Sequence, residues 1–201
     1  MITIVDYGMG NLGSIKNMFK RIGTPVVVSS DLETIANASK LLLPGVGAFD
    51  NAMVRINTSE LRQILDRKAL QERVPVLGIC LGMQLLTRSS EEGKLPGLGW
   101  IAATTSRFPA KPGLKVPHMG WNLVTPTRES QLTKDLPDQA RFYFVHSYCV
   151  HVDNEEGSIL KATYGITFDA AIQHGNIYGA QFHPEKSHKF GMQLLANFAR
   201  L

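Results

Sequence analysis

Several features are scarce in this chain of 201 residues, and each scarcity argues against a class of protein. Only two cysteines are present, Cys80 and Cys149, too few for a disulfide framework and suited to a reducing compartment. No stretch approaches the roughly 18 apolar residues of a membrane-spanning helix, and no basic leader precedes the first apolar segment. We therefore expect a cytoplasmic protein that is not embedded in a membrane.

Charge is equally unremarkable. The net charge is only +4, and no block of about five or six like charges occurs, so neither nucleic acid nor a membrane surface is expected as a partner. No spacing of cysteine and histidine is typical of a zinc site, and we expect no metal and no cofactor. With 44% hydrophobic and 19% charged residues, residues 1–201 are expected to form a single globular domain.

Strand and helix patterns alternate along the first part of the chain. Strands are predicted at Ile2–Tyr7, Val26–Ser29, Leu41–Leu43, Val74–Ile79 and Ile177–Phe182. Helices are predicted near Leu12–Ile22, Leu32–Asn37, Thr58–Glu72, Leu81–Ser89 and Lys189–Leu201. Residues from about 99 to 177 are rich in strand and turn signals. The fold class predicted is α/β, with a doubly wound, mostly parallel sheet and an antiparallel extension.

The most informative segment is VPVLGICLGMQLL at 74–86, where an apolar strand pattern changes into a helix pattern. Gly78 and Gly82 bracket Cys80 at the spacing of a strand-to-helix elbow, which exposes a nucleophile at its apex. The adjoining helix N-terminus favours a thiolate and a developing oxyanion. The alternative is a buried structural cysteine, the commoner role of a free cysteine.

A second segment, AQFHPEK at 180–186, provides a candidate base. Pro184 biases His183 toward an extended conformation, in which residues two apart face the same side. Glu185 could then orient the His183 imidazole, and with Cys80 the three side chains would form a nucleophile, base and orienter.

A third segment, LLLPGVGAF at 41–49, runs from a strand end into Pro44, Gly45, Val46 and Gly47. Two glycines around one residue allow a peptide N–H to face a ligand, so this loop could complete an oxyanion hole beside Cys80. An ordinary strand-to-helix turn is the alternative.

Together these segments resemble the class I (triad) glutamine amidotransferases, and among them the glutaminase subunits of imidazole glycerol phosphate synthases. The motifs that carry the resemblance span nearly the whole chain in order: PGVGAF at 44–49, GICLGMQLL at 78–86, SEEG at 90–93, PHMGWN at 117–122, FYFVHSY at 142–148 and QFHPEKS at 181–187. The resemblance implies a flavodoxin-like amidotransferase fold.

It also implies a chemistry, the hydrolysis of glutamine to glutamate and ammonia through Cys80, His183 and Glu185. The oxyanion hole would draw on backbone N–H groups of Val46, Gly47 and Leu81. Glutamine would be bound by a further set of residues that the resemblance assigns to the same site: Gly47, Gln84, His146, Ser147 and Tyr148.

The resemblance further implies a partner, because this family passes its ammonia through a channel to a synthase. The partner would be a (β/α)8 barrel cyclase of histidine biosynthesis, bound as a heterodimer. Four residues have counterparts at that interface: Asn11, Trp121, Tyr143 and Lys186. Trp121 could instead be a core aromatic residue, and its exposure would distinguish the two roles.

Two alternatives remain open from the sequence. Related second copies of this subunit supply ammonia for the amidation of a modified sugar, and the sequence does not separate the two pathways. More distantly, Gly8, Gly10 and Gly13 form a GxGxxG after the first strand, with Asp31 downstream, as in nicotinamide-dependent oxidoreductases. That interpretation leaves Cys80 and His183 without a role.

Overall fold

The computed structural model of the chain describes residues 1–201. Its strands are β1 Ile2–Val5, β2 Val26–Ser29, β3 Lys40–Leu43, β4 Val76–Ile79, β5 Ala103–Arg107, β6 His118–Leu123, β7 Thr125–Pro126, β8 Arg141–His146, β9 Tyr148–Val152, β10 Ser158–Tyr164, β11 Ile166–His174 and β12 Ile177–Ala180. Its helices are α1 Leu12–Arg21, α2 Leu32–Ala36, α3 Phe49–Asn57, α4 Leu61–Asp66, α5 Leu81–Leu85 and α6 His188–Arg200.

Ten of these strands form one sheet. Five of them run parallel in the order β2-β1-β3-β4-β12, the order of a flavodoxin-like doubly wound sheet. Strand β12 then pairs antiparallel with β11, and β10, β9, β7 and β5 continue the antiparallel part. Strands β6 and β8 form a separate antiparallel ribbon. The predicted α/β class with an antiparallel extension is therefore confirmed.

Alternation along the parallel strands divides the core into two layers. Ile2 and Ile4 of β1 pack in one cluster with Phe19 of α1 and Phe198 of α6. Val5 faces the opposite side and packs in a second cluster, which contains the buried faces of α2, α3, α4 and α5. Each fully buried phenylalanine or isoleucine contributes about 1.5–3 kcal/mol relative to an exposed one, so both faces of the sheet have to be covered.

The helices differ from the sequence prediction in one region. Residues 49–57 form α3, which was not predicted, although Phe49, Ala52, Met53 and Ile56 are spaced for one buried helix face. The single helix predicted at Thr58–Glu72 is instead α4, which is continued by a π-helical segment at Arg67–Gln71. A break at residues 58–60 separates α3 from α4.

The parallel strands all point their carboxyl ends at one edge of the sheet. Residues 6–11 follow β1, residues 44–48 follow β3, Cys80 follows β4 and residues 181–183 follow β12. Ligands of open α/β sheets bind at this edge. Separately, none of the helices has the length and apolar character needed to cross a bilayer.

Candidate active site

Cys80 occupies a strained turn between β4 and α5. Its backbone has φ 54° and ψ −111°, a conformation that an L-residue adopts only when its surroundings impose it. Its amide donates a hydrogen bond of 2.7 Å to the carbonyl of Ala180, which ties the turn to the end of β12. The chain therefore makes the sharp strand-to-helix turn that the glycine spacing around Cys80 predicts.

The glycines around Cys80 are required by close backbone contacts. A Cβ atom on Gly82 would lie 1.9 Å from the carbonyl oxygen of Leu43, and one on Gly78 would lie 2.5 Å from the carbonyl oxygen of Gly82. Gly45 in the loop after β3 approaches equally closely, since its Cβ would lie 2.7 Å from the backbone N of Gly82. The loop at 44–47 and the elbow are therefore packed directly against each other.

His183 and Glu185 form a buried pair near Cys80. Nδ1 of His183 lies 2.8 Å from Oε1 of Glu185, and the side chains are only 3% and 2% exposed. The expectation of a fully extended segment is only partly right: His183 is extended, whereas Pro184–Lys186 form a 3-10 turn. The turn still brings Glu185 back onto the imidazole.

The surroundings of His183 stabilise its charged form. Burial acts against the imidazolium, but the neighbouring Cys80 and Glu185 side chains outweigh it and raise the pKa of His183 to about 9. Nε2 of His183 is buried and has no hydrogen-bond partner within the chain. This nitrogen is thus available to exchange a proton with the Cys80 thiol.

A cleft of about 320 Å³ opens over Cys80 and is large enough for an amino acid. It brings together nearly all the residues that the sequence assigned to catalysis and glutamine binding: Val46, Gly47, Cys80, Leu81, Gln84, His146, Ser147, Tyr148 and His183. Glu92, Pro117, Val145 and Lys186 also line it. A larger depression of about 830 Å³ around residues 126–135 is lined by polar and charged side chains and contains neither cysteine nor histidine.

The loop after β3 is held by the loop after β1. The buried Tyr7 hydroxyl donates a hydrogen bond to the carbonyl of Pro44, and its burial together with the nearby Cys80 raises the pKa of Tyr7. Gly47 has φ +125°, and a Cβ atom on it would lie 2.6 Å from the end of the Met9 side chain. The backbone N–H groups of Val46 and Gly47 form no hydrogen bond within the chain, which leaves them free to bind an oxyanion.

Gln181 is a site residue that the sequence interpretation missed. It is fully buried, its Nε2 donates to Sγ of Cys80 at 3.8 Å, and its Oε1 accepts from Nε2 of Gln84 at 3.2 Å. The sequence contains a feature that could have identified Gln181, because an amide inside the apolar run of Ile177–Phe182 needs a buried hydrogen-bond partner.

The sequence profile of the family described as "Glutamine amidotransferase class-I" matches residues 3–201 of this chain. The chain belongs to the class-I glutamine amidotransferase family. Imidazole glycerol phosphate synthase subunit HisH of Bdellovibrio bacteriovorus is 51% identical to this amidotransferase, with complete coverage of both chains. Subunit HisH 2 of Methanococcus maripaludis is also 51% identical, covering 100% of this chain and 99% of the relative. Subunit HisH 2 of Pseudomonas aeruginosa is 48% identical over the whole of both chains.

Solved structures agree on the fold of the amidotransferase. A crystal structure described as a glutamine amidotransferase superposes with a TM-score of 0.76 at 18% identity, covering 100% of this chain and 99% of that one. The structure of PurLQS from Thermotoga maritima gives a TM-score of 0.73 at 16% identity, covering 99% and 97%.

The residues expected at a partner interface of the amidotransferase differ in their surroundings. Trp121 is 44% exposed, which removes the core-aromatic alternative, and its ring stacks on His188 with centroids 5.5 Å apart. Lys186 is exposed and its Nζ lies 5.8 Å from the centre of the Tyr143 ring. Asn11 is exposed, but its side chain already caps α1 by accepting from the Ser14 amide at 3.3 Å.

The second cysteine of the amidotransferase, Cys149, is not placed to act as a nucleophile. Cys149 is fully buried, and burial raises the pKa of its thiol to about 11, so it is a poor nucleophile.

In the GxGxxG segment, the Arg55 guanidinium occupies the space over Gly8, and a Cβ on Gly13 would meet no atom within 4 Å. A dinucleotide site requires close packing at its third glycine, so the oxidoreductase alternative is not favoured.

Proposed function

We propose that this chain is the glutaminase subunit of an imidazole glycerol phosphate synthase, which hydrolyses glutamine and supplies ammonia to a partner subunit. The observation that carries the proposal is the strained elbow of Cys80 beside the buried His183–Glu185 pair, in a chain 51% identical over its full length to a protein of that name. The sugar-amidation alternative is not favoured, because the relatives are named as subunits of imidazole glycerol phosphate synthase. We propose residues 1–201 as one amidotransferase domain acting in the cytoplasm.

The first half of the reaction forms a thioester. The proton shared by Cys80 and His183 resides on Nε2 of His183, as the raised pKa of this imidazole favours, and the Sγ thiolate attacks the side-chain carbonyl carbon of glutamine. The tetrahedral intermediate places negative charge on the former carbonyl oxygen. His183 then returns the proton to the amide nitrogen, the C–N bond breaks, and ammonia leaves.

The second half regenerates the enzyme. Water attacks the glutamyl thioester while His183 takes one of its protons, the C–S bond breaks, and glutamate leaves as Cys80 regains a proton. Glu185 accepts a hydrogen bond from Nδ1–H of His183, so that Nε2 is the nitrogen presented to the reacting atoms. No metal or cofactor enters either half.

The oxyanion is proposed to bind backbone N–H groups of Val46, Gly47 and Leu81. The free amides of Val46 and Gly47 support this role, as does the position of Leu81 at the first turn of α5, where helix amides lack internal acceptors.

Glutamine binding is proposed for Gly47, Gln84 and the segment from His146 to Tyr148, which all line the cleft. Both hydrogens of Gln84 Nε2 are used, on the Tyr148 carbonyl and on Gln181, so its Oε1 is the atom available to a ligand. Both ring nitrogens of His146 are likewise engaged inside the protein, so this residue would contribute its backbone.

The partner is proposed to be a (β/α)8 barrel cyclase of histidine biosynthesis. Three large apolar side chains alternate along the outer face of β6, at exposures of 62% for Met119, 44% for Trp121 and 53% for Leu123. Such a surface is typical of a protein interface, and it begins beside Pro117 at the cleft. Asn11, Tyr143 and Lys186 are proposed to complete this interface.

The test is glutamate release from glutamine by the purified chain, measured alone, with the barrel cyclase of the same organism, and with cyclase plus its nucleotide substrate. Strong stimulation by cyclase with nucleotide is expected. Glutaminase activity that does not respond to cyclase or nucleotide would retain the triad chemistry but reject this partner. No activity under any condition would reject the proposed function.

A further inference from the structure

The side chains of two buried histidines have no role in the proposed mechanism. His118 of β6 is 3% exposed and His146 of β8 is 5% exposed. Nδ1 of His118 lies 2.9 Å from Nε2 of His146, close enough for a hydrogen bond between the two rings. A buried pair of this kind needs one donor and one acceptor.

The partners around the pair determine which nitrogens carry protons. Nδ1 of His146 lies 2.7 Å from the carbonyl oxygen of Tyr148, which can only accept, so Nδ1 is protonated. In the neutral ring Nε2 of His146 is then an acceptor, and Nδ1 of His118 must donate to it. Nε2 of His118 is left to accept from Nδ2 of Asn122 at 3.3 Å.

The orientation of the Asn122 amide is independently determined. Its Nδ2 also donates to the carbonyl of Thr163 at 2.9 Å, so the nitrogen, not the oxygen, faces His118. Burial lowers the pKa of His118 to about 4 and that of His146 to about 3, so both rings are neutral near pH 7.

The hydrogen bonds continue from this pair to the nucleophile. The Tyr148 carbonyl also accepts from Nε2 of Gln84 at 3.2 Å, and the same Nε2 donates to Oε1 of Gln181 at 3.2 Å. Nε2 of Gln181 donates to Sγ of Cys80 at 3.8 Å. An unbroken series of polar contacts therefore leads from Asn122 on β6 to the thiol.

Aromatic packing holds the His118 ring in place. The Tyr164 ring stacks on it with centroids 4.1 Å apart and planes inclined by 17°, and Phe144 stacks at 4.8 Å and 22°. With the ring plane held in this way, the hydrogen-bond direction of His118 cannot relax by rotation of the side chain.

We propose that Asn122, His118, His146, Gln84 and Gln181 form, through the Tyr148 carbonyl, a hydrogen-bond relay that positions the Cys80 thiol, with both histidines protonated on Nδ1. Asn122, His118 and His146 are positioning residues, because they act through Gln84 and Gln181 and none of the three contacts a reacting atom or exchanges a proton with substrate. The kinetic part of this inference rests on the proposed glutaminase function.

The first experiment reads the protons directly. Nitrogen-15 NMR of the uniformly labelled chain distinguishes the two neutral imidazole tautomers, and His118→Asn and His146→Gln variants assign the signals. The relay requires the Nδ1–H tautomer at both positions. Either ring in the Nε2–H form overturns the relay, whether or not the chain hydrolyses glutamine.

The second experiment measures function. His118→Ala removes the donor to His146, whereas His118→Asn places an amide N–H near the position of Nδ1. We expect His118→Ala to lower kcat/KM for glutamine by about tenfold, mostly through kcat. We also expect it to change the rate at which iodoacetamide alkylates Cys80, a rate monitored by peptide mass spectrometry. His118→Asn should recover most of both quantities, as judged against wild type.

Tyr164→Phe is the matched control, since it keeps the ring stacked on His118 and removes only a hydroxyl that donates to the Lys115 carbonyl. It should leave kinetics and alkylation unchanged. If His118→Ala does not fold, Asn122→Ala at the partly exposed end of the relay replaces it, and about a threefold loss is expected. Wild-type kinetics and alkylation in the folded relay variant overturn the proposal, whereas an inactive wild type rejects the glutaminase function instead.

Discussion

Nδ1 of His183 is held 2.8 Å from Oε1 of Glu185, and this contact assigns the two nitrogens of the imidazole to different tasks. The nitrogen facing the carboxylate must carry a proton, so Nε2 is the atom presented toward the thiol. Pro184 and the short 3-10 turn maintain the contact between residues that are only two apart.

Replacement of His183 is expected to be more damaging than replacement of Glu185. His183→Asn removes the proton-transfer group and should lower kcat by about 10⁶, whereas Glu185→Gln should cost about 10⁴, because an orienter acts only through the base it orients. The measurement is kcat for glutamate release with the partner present. Equal and complete losses in the two variants would assign Glu185 a different role.

Cys80→Ser should abolish glutamine hydrolysis, because the hydroxyl is a far weaker nucleophile than the thiol at neutral pH. The substitution should leave the folded state intact. Cys149→Ser is the matched control, since Cys149 is buried and its thiol only donates to the Ser106 carbonyl and contacts His151. Glutamate release and circular dichroism should be measured on both variants. Residual activity in Cys80→Ser near the wild-type value would contradict the proposed mechanism.

Gly82→Ala should destabilise the elbow strongly. The new Cβ would lie 1.9 Å from the Leu43 carbonyl oxygen, and relief requires β3 and α5 to move apart. We expect a loss of about 2–3 kcal/mol in the free energy of unfolding, measured with urea. Gly13→Ala in α1 has open space and should instead gain about 0.5 kcal/mol.

Stability should depend on pH through three buried histidines. Burial lowers the pKa of His118 to about 4 and that of His146 to about 3. Below the ordinary histidine pKa of 6.5, the folded state therefore binds fewer protons than the unfolded state. Stability is therefore lost as the pH falls below 6.5, by up to ~1.4 kcal/mol per pH unit for each ring. The raised pKa of His183 acts oppositely, and its contribution is lost as the pH rises from 6.5 through about 9.

Urea unfolding at several pH values measures this dependence. His118→Asn should flatten the acid side of the stability profile, whereas His174→Gln, at an exposed histidine outside the network, should not. An unchanged acid side in His118→Asn would show that His118 is not held neutral by the fold.

Trp121→Ala should weaken the response to the cyclase partner while leaving the KM for glutamine nearly unchanged. The reason is that its ring is 44% exposed on β6 and does not line the cleft. Val54→Ala, at a 48% exposed valine on α3, is the matched control for loss of surface apolar area. Partner titrations of glutaminase activity provide the measurement, and equal responses from the two variants would remove Trp121 from the interface.

The alternating strands and helices followed from local patterns, because an apolar strand buried on both faces and an amphipathic helix each leave a short-range signature. Helix α3 was missed because its apolar spacing begins immediately after the glycine-rich PGVG loop. Such a loop predicts irregular structure for the residues next to it. The break between α3 and α4 was also missed, since residues on both sides of it have helical spacing.

The sequence by itself determined the chemistry available to this protein: a glycine-bracketed Cys80, a histidine and carboxylate two residues apart, and the order of the elements that carry them. Only the tertiary structure decided which polar groups meet. The contact of Gln181 with Cys80 joins residues 101 positions apart, and that of His118 with His146 joins residues 28 apart on different strands. Such pairings depend on strand register and on the burial that excludes water as a competing partner, and neither is encoded in local spacing.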